Sequence, residues 1–97
     1  MSQLRARQKR IWQVTEQIIN GWDPYGLLNA GAPPDEYVAE INAIVTKIDQ
    51  VQSEEDATRL VARVFSYYFE PEKFTPAFCR EVGENLFAAL KREDLLT

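Results

Sequence analysis

The sequence predicts an all-α fold: a four-helix, bundle-like single domain over residues 1–97, with a long structured connection between its first two helices. Three observations carry that expectation. Apolar residues recur three and four apart in four separate segments. Ser, Thr, Asp, Pro and Gly stand at the segment ends, where helix start and stop signals belong. The connections are short except for the first, and short connections place consecutive helices side by side.

The first helix is expected over residues 4–20. Leu4, Ile11, Val14 and Ile18 repeat at helical spacing, and Ile19 and Trp22 widen the stripe. Ser2 is the expected N-cap, and Gly21 the expected left-handed C-terminal cap. The connection Trp22–Pro34 holds three prolines and two glycines in thirteen residues, which breaks any long helix or regular strand. Asp23 before Pro24 reads as an N-cap and an N1 proline opening one helical turn near Pro24–Leu28. With Trp22, Tyr25, Leu27 and Leu28 the segment is too apolar for a solvated linker, so it is expected to fold over one end of the core.

The second helix is expected from Pro34 or Asp35 through Val51. Tyr37, Ile41, Ile44, Ile48 and Val51 follow a 4-3-4-3 rhythm, and Asp35 and Glu36 suit the positive end of the helix dipole. Ser53 opens the third helix with Asp56 in the capping-box position. Ala57, Leu60, Val61, Val64, Phe65 and Tyr68 form its expected buried face, and Pro71 stops it. Thr75-Pro76 opens the fourth, with Phe78, Val82, Leu86, Ala89 and Leu90 turned inward and Phe87 beside them. Gly83 inside this pattern implies a close helix–helix crossing, since Gly costs about 1 kcal/mol against Ala in a helix. The tail from Leu95 to Thr97 is expected to fray.

Composition narrows function by exclusion. The chain holds no His and one Cys. That removes the commonest acid–base side chain near neutral pH, any Cys–His zinc site and any Ser–His–Asp triad. Cys79 has no partner for an intramolecular disulfide. It lies in the first turn of the fourth helix, where a thiol's pKa can be lowered, but structural use is the expected one. No leader-like or membrane-spanning apolar run is present, so a cytoplasmic protein is expected.

The formal net charge of −4 conceals a split. Residues 1–10 carry Arg5, Arg7, Lys9 and Arg10 and no acid, a local +4. The remainder holds seven bases and fifteen acids, so 7 − 15 = −8. Such a body repels nucleic acid and attracts basic partners, and four bases without interleaved aromatics read as a solvated helical turn. Asp23, Asp35, Glu36 and Glu40 were weighed as oxygen ligands for a hard cation. Capping and solvation explain them better, so neither a metal nor a cofactor is expected. Of the aromatic set Tyr67, Tyr68, Phe69, Phe74 and Phe78, most belong in the core. The adjacent tyrosines cannot both face inward, so one is a candidate anchor for a partner.

The run Trp22-Asp23-Pro24-Tyr25-Gly26-Leu27-Leu28, followed by Gly31-Ala32-Pro33-Pro34-Asp35-Glu36-Tyr37, resembles a family of small bacterial proteins of unknown function with a W-D-P-x-G-L-L … G-A-P-x-D-E-Y pattern. The likeness covers about residues 10–90. It includes Ile18-Ile19-Asn20 ahead of the motif and Val64-Phe65 to Phe69 behind it. Pro34 departs from the family, which usually has an acid there. The resemblance implies a helical fold and a bacterial source, and it supplies no catalytic residue.

The resulting functional expectation is a non-enzymatic binding protein, a toxin-neutralising immunity protein whose partner is a basic protein domain. Asp23, Asp35, Glu36, Glu40, Glu54, Glu55 and Asp56 form its expected acidic surface, with Tyr25 or Tyr37 as anchors. A weak homodimer with a structural or regulatory role is the alternative, and a small enzyme the third.

Overall fold

The computed structural model describes residues 2–96, with side chains from residue 5 onward. The proposed Ser2 cap, the Leu4 position in the first stripe and the fraying of Thr97 lie outside the described residues. The regular elements are all helical, with no strand among the described residues. α1 spans Ser2–Trp22, α2 Val38–Thr46, α3 Glu54–Tyr68 and α4 Pro76–Arg92, and a 3₁₀ turn at Ile48–Gln50 follows α2. No helix among the described residues is long and apolar enough to cross a membrane.

The helices pack in a closed circuit, α1 on α2, α2 on α3, α3 on α4 and α4 on α1. Their senses follow from the contacts. Trp12 meets Asn42 and Asn20 meets Pro34, so α1 and α2 run oppositely. Arg10 meets Glu93 while Trp22 meets Phe78, so α1 and α4 do too. Ile19, Ile41, Ile44, Val61, Phe65, Phe74, Leu86 and Leu90 fill the centre at 0–1% exposure.

α1 runs through Gly21 and Trp22, beyond its predicted end. Trp22 packs on Phe65 and Phe74 at 5.1 and 5.9 Å between rings, and the left-handed cap falls on Asp23 instead of Gly21 (φ +43°). The Asp23 N–H closes on the Ile19 carbonyl at 2.9 Å. A left-handed Asp is tolerated because its side chain can bond nearby backbone.

α2 is shorter than predicted at both ends. Residues 34–37 form turns, with Glu36 N–H on the Pro33 carbonyl and Val38 N–H on the Asp35 carbonyl. Asp35 and Glu36 therefore precede the helix, and the acid of its first turn is Glu40. At the far end the β-branched run Ile44-Val45-Thr46 weakens the helix, and the Thr46 hydroxyl donates back to the Asn42 carbonyl at 2.8 Å. Ile48 and Val51 still reach the core, from the 3₁₀ turn and just beyond it.

α3 and α4 start where the sequence places them. The Ser53 hydroxyl accepts from the Asp56 N–H at 3.1 Å, and the Asp56 carboxylate accepts from the Gln52 N–H at 3.0 Å. Thr75 accepts from the Phe78 N–H at 3.2 Å, with Pro76 behind it. Two expected core positions are outside: Tyr68 and Phe78 are each 44% exposed. Tyr68 is the last residue of α3 and Phe78 lies in the first turn of α4, so both sit at helix ends.

The expectation of a frayed tail is corrected for Leu95, which is buried. Its N–H closes on the Leu90 carbonyl at 2.9 Å. The Arg7 guanidinium donates to the Asp94 and Leu95 carbonyls, at 3.3 and 2.9 Å. Arg10 donates two hydrogen bonds to Glu93, at 2.6 and 2.7 Å. Two of the four bases in the first ten residues thus hold the end of the chain.

A Cβ on Gly83 would lie 2.5 Å from Thr58 Cα, backbone that has nowhere to go. Gly83→Ala is therefore expected to destabilise the protein by about 1–3 kcal/mol despite the better helix propensity of Ala. Urea unfolding measures this, and an unchanged or raised midpoint would refute the close crossing.

Candidate functional site

The Trp22–Tyr37 connection is organised around one carboxylate. Asp23 leaves α1 in the left-handed conformation, and Gly26 and Gly31 also take positive φ (66° and 99°), which lets the chain double back. Asp23 Oδ1 accepts from the Leu28 N–H at 3.2 Å and Oδ2 from the Asn29 N–H at 3.0 Å. The Tyr37 hydroxyl donates to Oδ1 at 2.7 Å and accepts from the Tyr25 N–H at 3.3 Å. Asp23 does cap backbone, as expected, but at the far side of the turn and not at its second or third residue.

These bonds set the ionisation of both groups. Partial burial alone would raise the Asp23 pKa, yet the hydrogen bonds from Tyr37, Asn29 and Leu28 outweigh it and hold the carboxyl below its ordinary range. Burial, then the bond to the carboxylate, pushes Tyr37 up to about 12. Tyr37 is completely buried, so it offers a partner no surface and its expected role as an anchor is withdrawn.

Tyr25 lies half-buried above this latch. Its hydroxyl donates to Glu70 Oε1 at 3.1 Å, and burial followed by that carboxylate raises its pKa. Lys73 Nζ sits 4.2 Å from the Tyr25 ring centre and reaches the Pro24 carbonyl at 3.5 Å. The first and third connections are thereby joined at one end of the molecule. Glu70 and Lys73 went unnoticed in the sequence, because no local spacing relates them to residues some 45 positions away.

The other expected surface carboxylates do not form one face. Asp35 and Glu36 are exposed ahead of α2, whereas Glu54 and Glu55 are exposed at the start of α3, beyond the far end of α2. Asp56 is half-buried in the α3 cap and paired with Arg59 at 3.2 Å. Those bonds lower its pKa, the Gln52 N–H contributing most. Glu40 is corrected outright. It is 96% buried, its Oε1 lacks a hydrogen-bond partner, and desolvation raises its pKa. Among the described residues no three carboxylate or thiol groups converge as a metal would require, so Asp23, Asp35, Glu36 and Glu40 do not assemble into a ligand set.

No family model, curated protein or solved structure matches the chain. The candidate site therefore rests on geometry alone. Cys79, in the first turn of α4, is fully buried, and burial pushes its thiol up to about 11. Desolvation overrides any lowering by the helix end, which leaves an inert side chain.

Both adjacent tyrosines turn outward: Tyr67 is 82% and Tyr68 44% exposed, packed edge to face at 5.1 Å. With Phe78 they are the large apolar side chains exposed among the described residues. They flank the third connection, at the end where Tyr25 meets Glu70. Asp35, Glu36 and Glu72 are exposed on the two connections joined there.

Tyr37→Phe is expected to cost about 1 kcal/mol, and Asp23→Ala more, since three donors lose their acceptor. Because the folded-state pKa of Asp23 is depressed, its contribution is fully present above the unfolded carboxyl value of about 3.9. It fades as pH falls through the lower folded value. Acid unfolding of Asp23→Asn should accordingly be less steep than that of the wild type below about pH 4. Glu40 has the opposite sign: its pKa is raised, so its ionisation destabilises the fold at neutral pH. Glu40→Gln should stabilise by about 1 kcal/mol at pH 7, and the gain should vanish toward pH 4. A constant gain across that range would remove the charge as the cause.

Proposed function

We propose that this chain is a small, bundle-like, non-enzymatic binding protein, and that its partner is a basic protein domain that it neutralises, as an immunity protein neutralises a bacterial toxin. The observation that carries the reading is the outward pair Tyr67 and Tyr68, with Phe78, at the end of the molecule that also presents Asp35, Glu36 and Glu72. Exposed tyrosines are common energetic centres of protein interfaces. Exposed carboxylates at the same end favour and accelerate encounter with a basic surface, although Lys73 lies 5.7 Å from the Phe78 ring. Tyr25 contributes to this end from its half-buried place beside Glu70. Glu54 and Glu55, at the start of α3, belong to a separate surface. The motif resemblance brings no activity to these positions, and a non-enzymatic role is in keeping with a latch whose polar groups satisfy one another.

The same rings suit a second copy of the chain, so self-association is the alternative reading. Sedimentation separates the two, since a homodimer doubles the mass with no partner present. Binding is tested by coexpression with a basic toxin domain encoded beside the gene. The wild type should restore growth and copurify with the toxin. Tyr67→Ala combined with Tyr68→Ala should weaken the complex at least about tenfold without moving the melting temperature. Failure of the wild type to protect or bind would sink the proposal.

A further inference from the structure

An open groove of about 950 Å³ runs beside the N-terminal half of α1, bounded across from it by the end of α2 and the 3₁₀ turn. Ile11, Ile48 and Leu95 form its buried floor, and Trp12 and Val45 stay half-buried in its walls. The Trp12 indole N–H is already donated to Asn42 Oδ1 at 2.6 Å, so the ring presents apolar surface with its polar edge satisfied. Arg5, Arg7 and Lys9 line the groove against Glu16 and Asp49, a balance of 3 − 2 = +1 in a chain of net −4. Arg7 is engaged by the tail carbonyls, whereas Arg5 and Lys9 are exposed and meet no carboxylate among the described residues.

We propose that this groove docks an amphipathic helix whose apolar stripe carries carboxylates along the edge that faces Arg5 and Lys9 of α1, away from Asp49. Its α1 wall runs from Arg5 to Glu16, about 17 Å at 1.5 Å per residue, which is three turns of a partner helix. An apolar floor alone would accept any amphipathic segment. Arg5 and Lys9 select the acidic one, and the carboxylates elsewhere on the chain repel it from other surfaces. The open shape admits a helix from the side, whereas an acyl chain favours enclosure. This site lies on residues that the tyrosine surface does not use, so it stands or falls separately from the proposed function.

Fluorescence anisotropy tests it with a labelled helical peptide that carries Leu at i, i+3, i+4 and i+7 and Glu along one flank, the one that would face Arg5 and Lys9. A Lys-flanked counterpart, palmitate and the free protein serve as the other arms. The Glu peptide should bind at least about tenfold tighter than the Lys peptide and weaken as salt rises. Arg5→Glu with Lys9→Glu should remove that preference at an unchanged melting temperature, and Val45→Arg should block the groove in an otherwise folded protein. Tyr67→Ala with Tyr68→Ala should leave the peptide bound. The proposal is overturned by equal affinity for both peptides, by no binding of the Glu peptide, by binding indifferent to the Arg5 and Lys9 reversals, by occupancy with palmitate alone, or by a homodimer that buries this face.

Discussion

The Asp23 carboxylate collects three hydrogen bonds where α1 ends, and the course of the chain from α1 to α2 turns on them. Asp23 accepts both from the turn that follows it and from Tyr37 at the threshold of α2. A buried phenol needs an acceptor, and a carboxylate leaving water needs donors. Each supplies what the other lacks. Their pairing fixes where α1 stops, how the connection returns and where α2 can begin. It also sets Trp22 edge-on against Phe65 and Phe74, so the last turn of α1 closes one end of the core.

This constraint divides the acidic residues by purpose. Asp23 and Asp56 hold backbone, Glu93 holds Arg10, and Glu70 holds Tyr25. Glu40 sits in the interior with one oxygen unpaired. The remaining exposed acids are scattered, with Asp35, Glu36 and Glu72 on the connections at one end, Glu54 and Glu55 at the start of α3, and Asp49, Glu81, Glu84 and Asp94 elsewhere. Net charge measured over the whole chain therefore overstates the acidity of any one surface.

The helices were legible because their signals are local. Ser53 and Thr75 cap where expected, and Gly83 marks a real crossing against Thr58. Periodicity also found Phe65, Val82 and Leu86, all of them in the core. It misplaced Tyr68 and Phe78, at helix ends, because a stripe does not reveal how far along a helix burial extends. α2 was read too long because Ile48 and Val51 keep helical spacing after the helix has tightened into a 3₁₀ turn. Tyr37 suits both a buried stripe position and an interface role by sequence, and its complete burial decides between them. Glu70 and Lys73 were illegible, since what they do depends on a residue in another connection.

The contacts of Arg7 and Arg10 with the tail span 83 to 88 positions. On the ribosome, the first turns of α1 emerge long before Glu93 and Leu95 exist, so these contacts wait for residues made much later. Closing so large a loop has an entropic cost that other contacts must first reduce. The seam that Arg7 and Arg10 make with Glu93, Asp94 and Leu95 thus closes only after nearer contacts have shortened the loop between them.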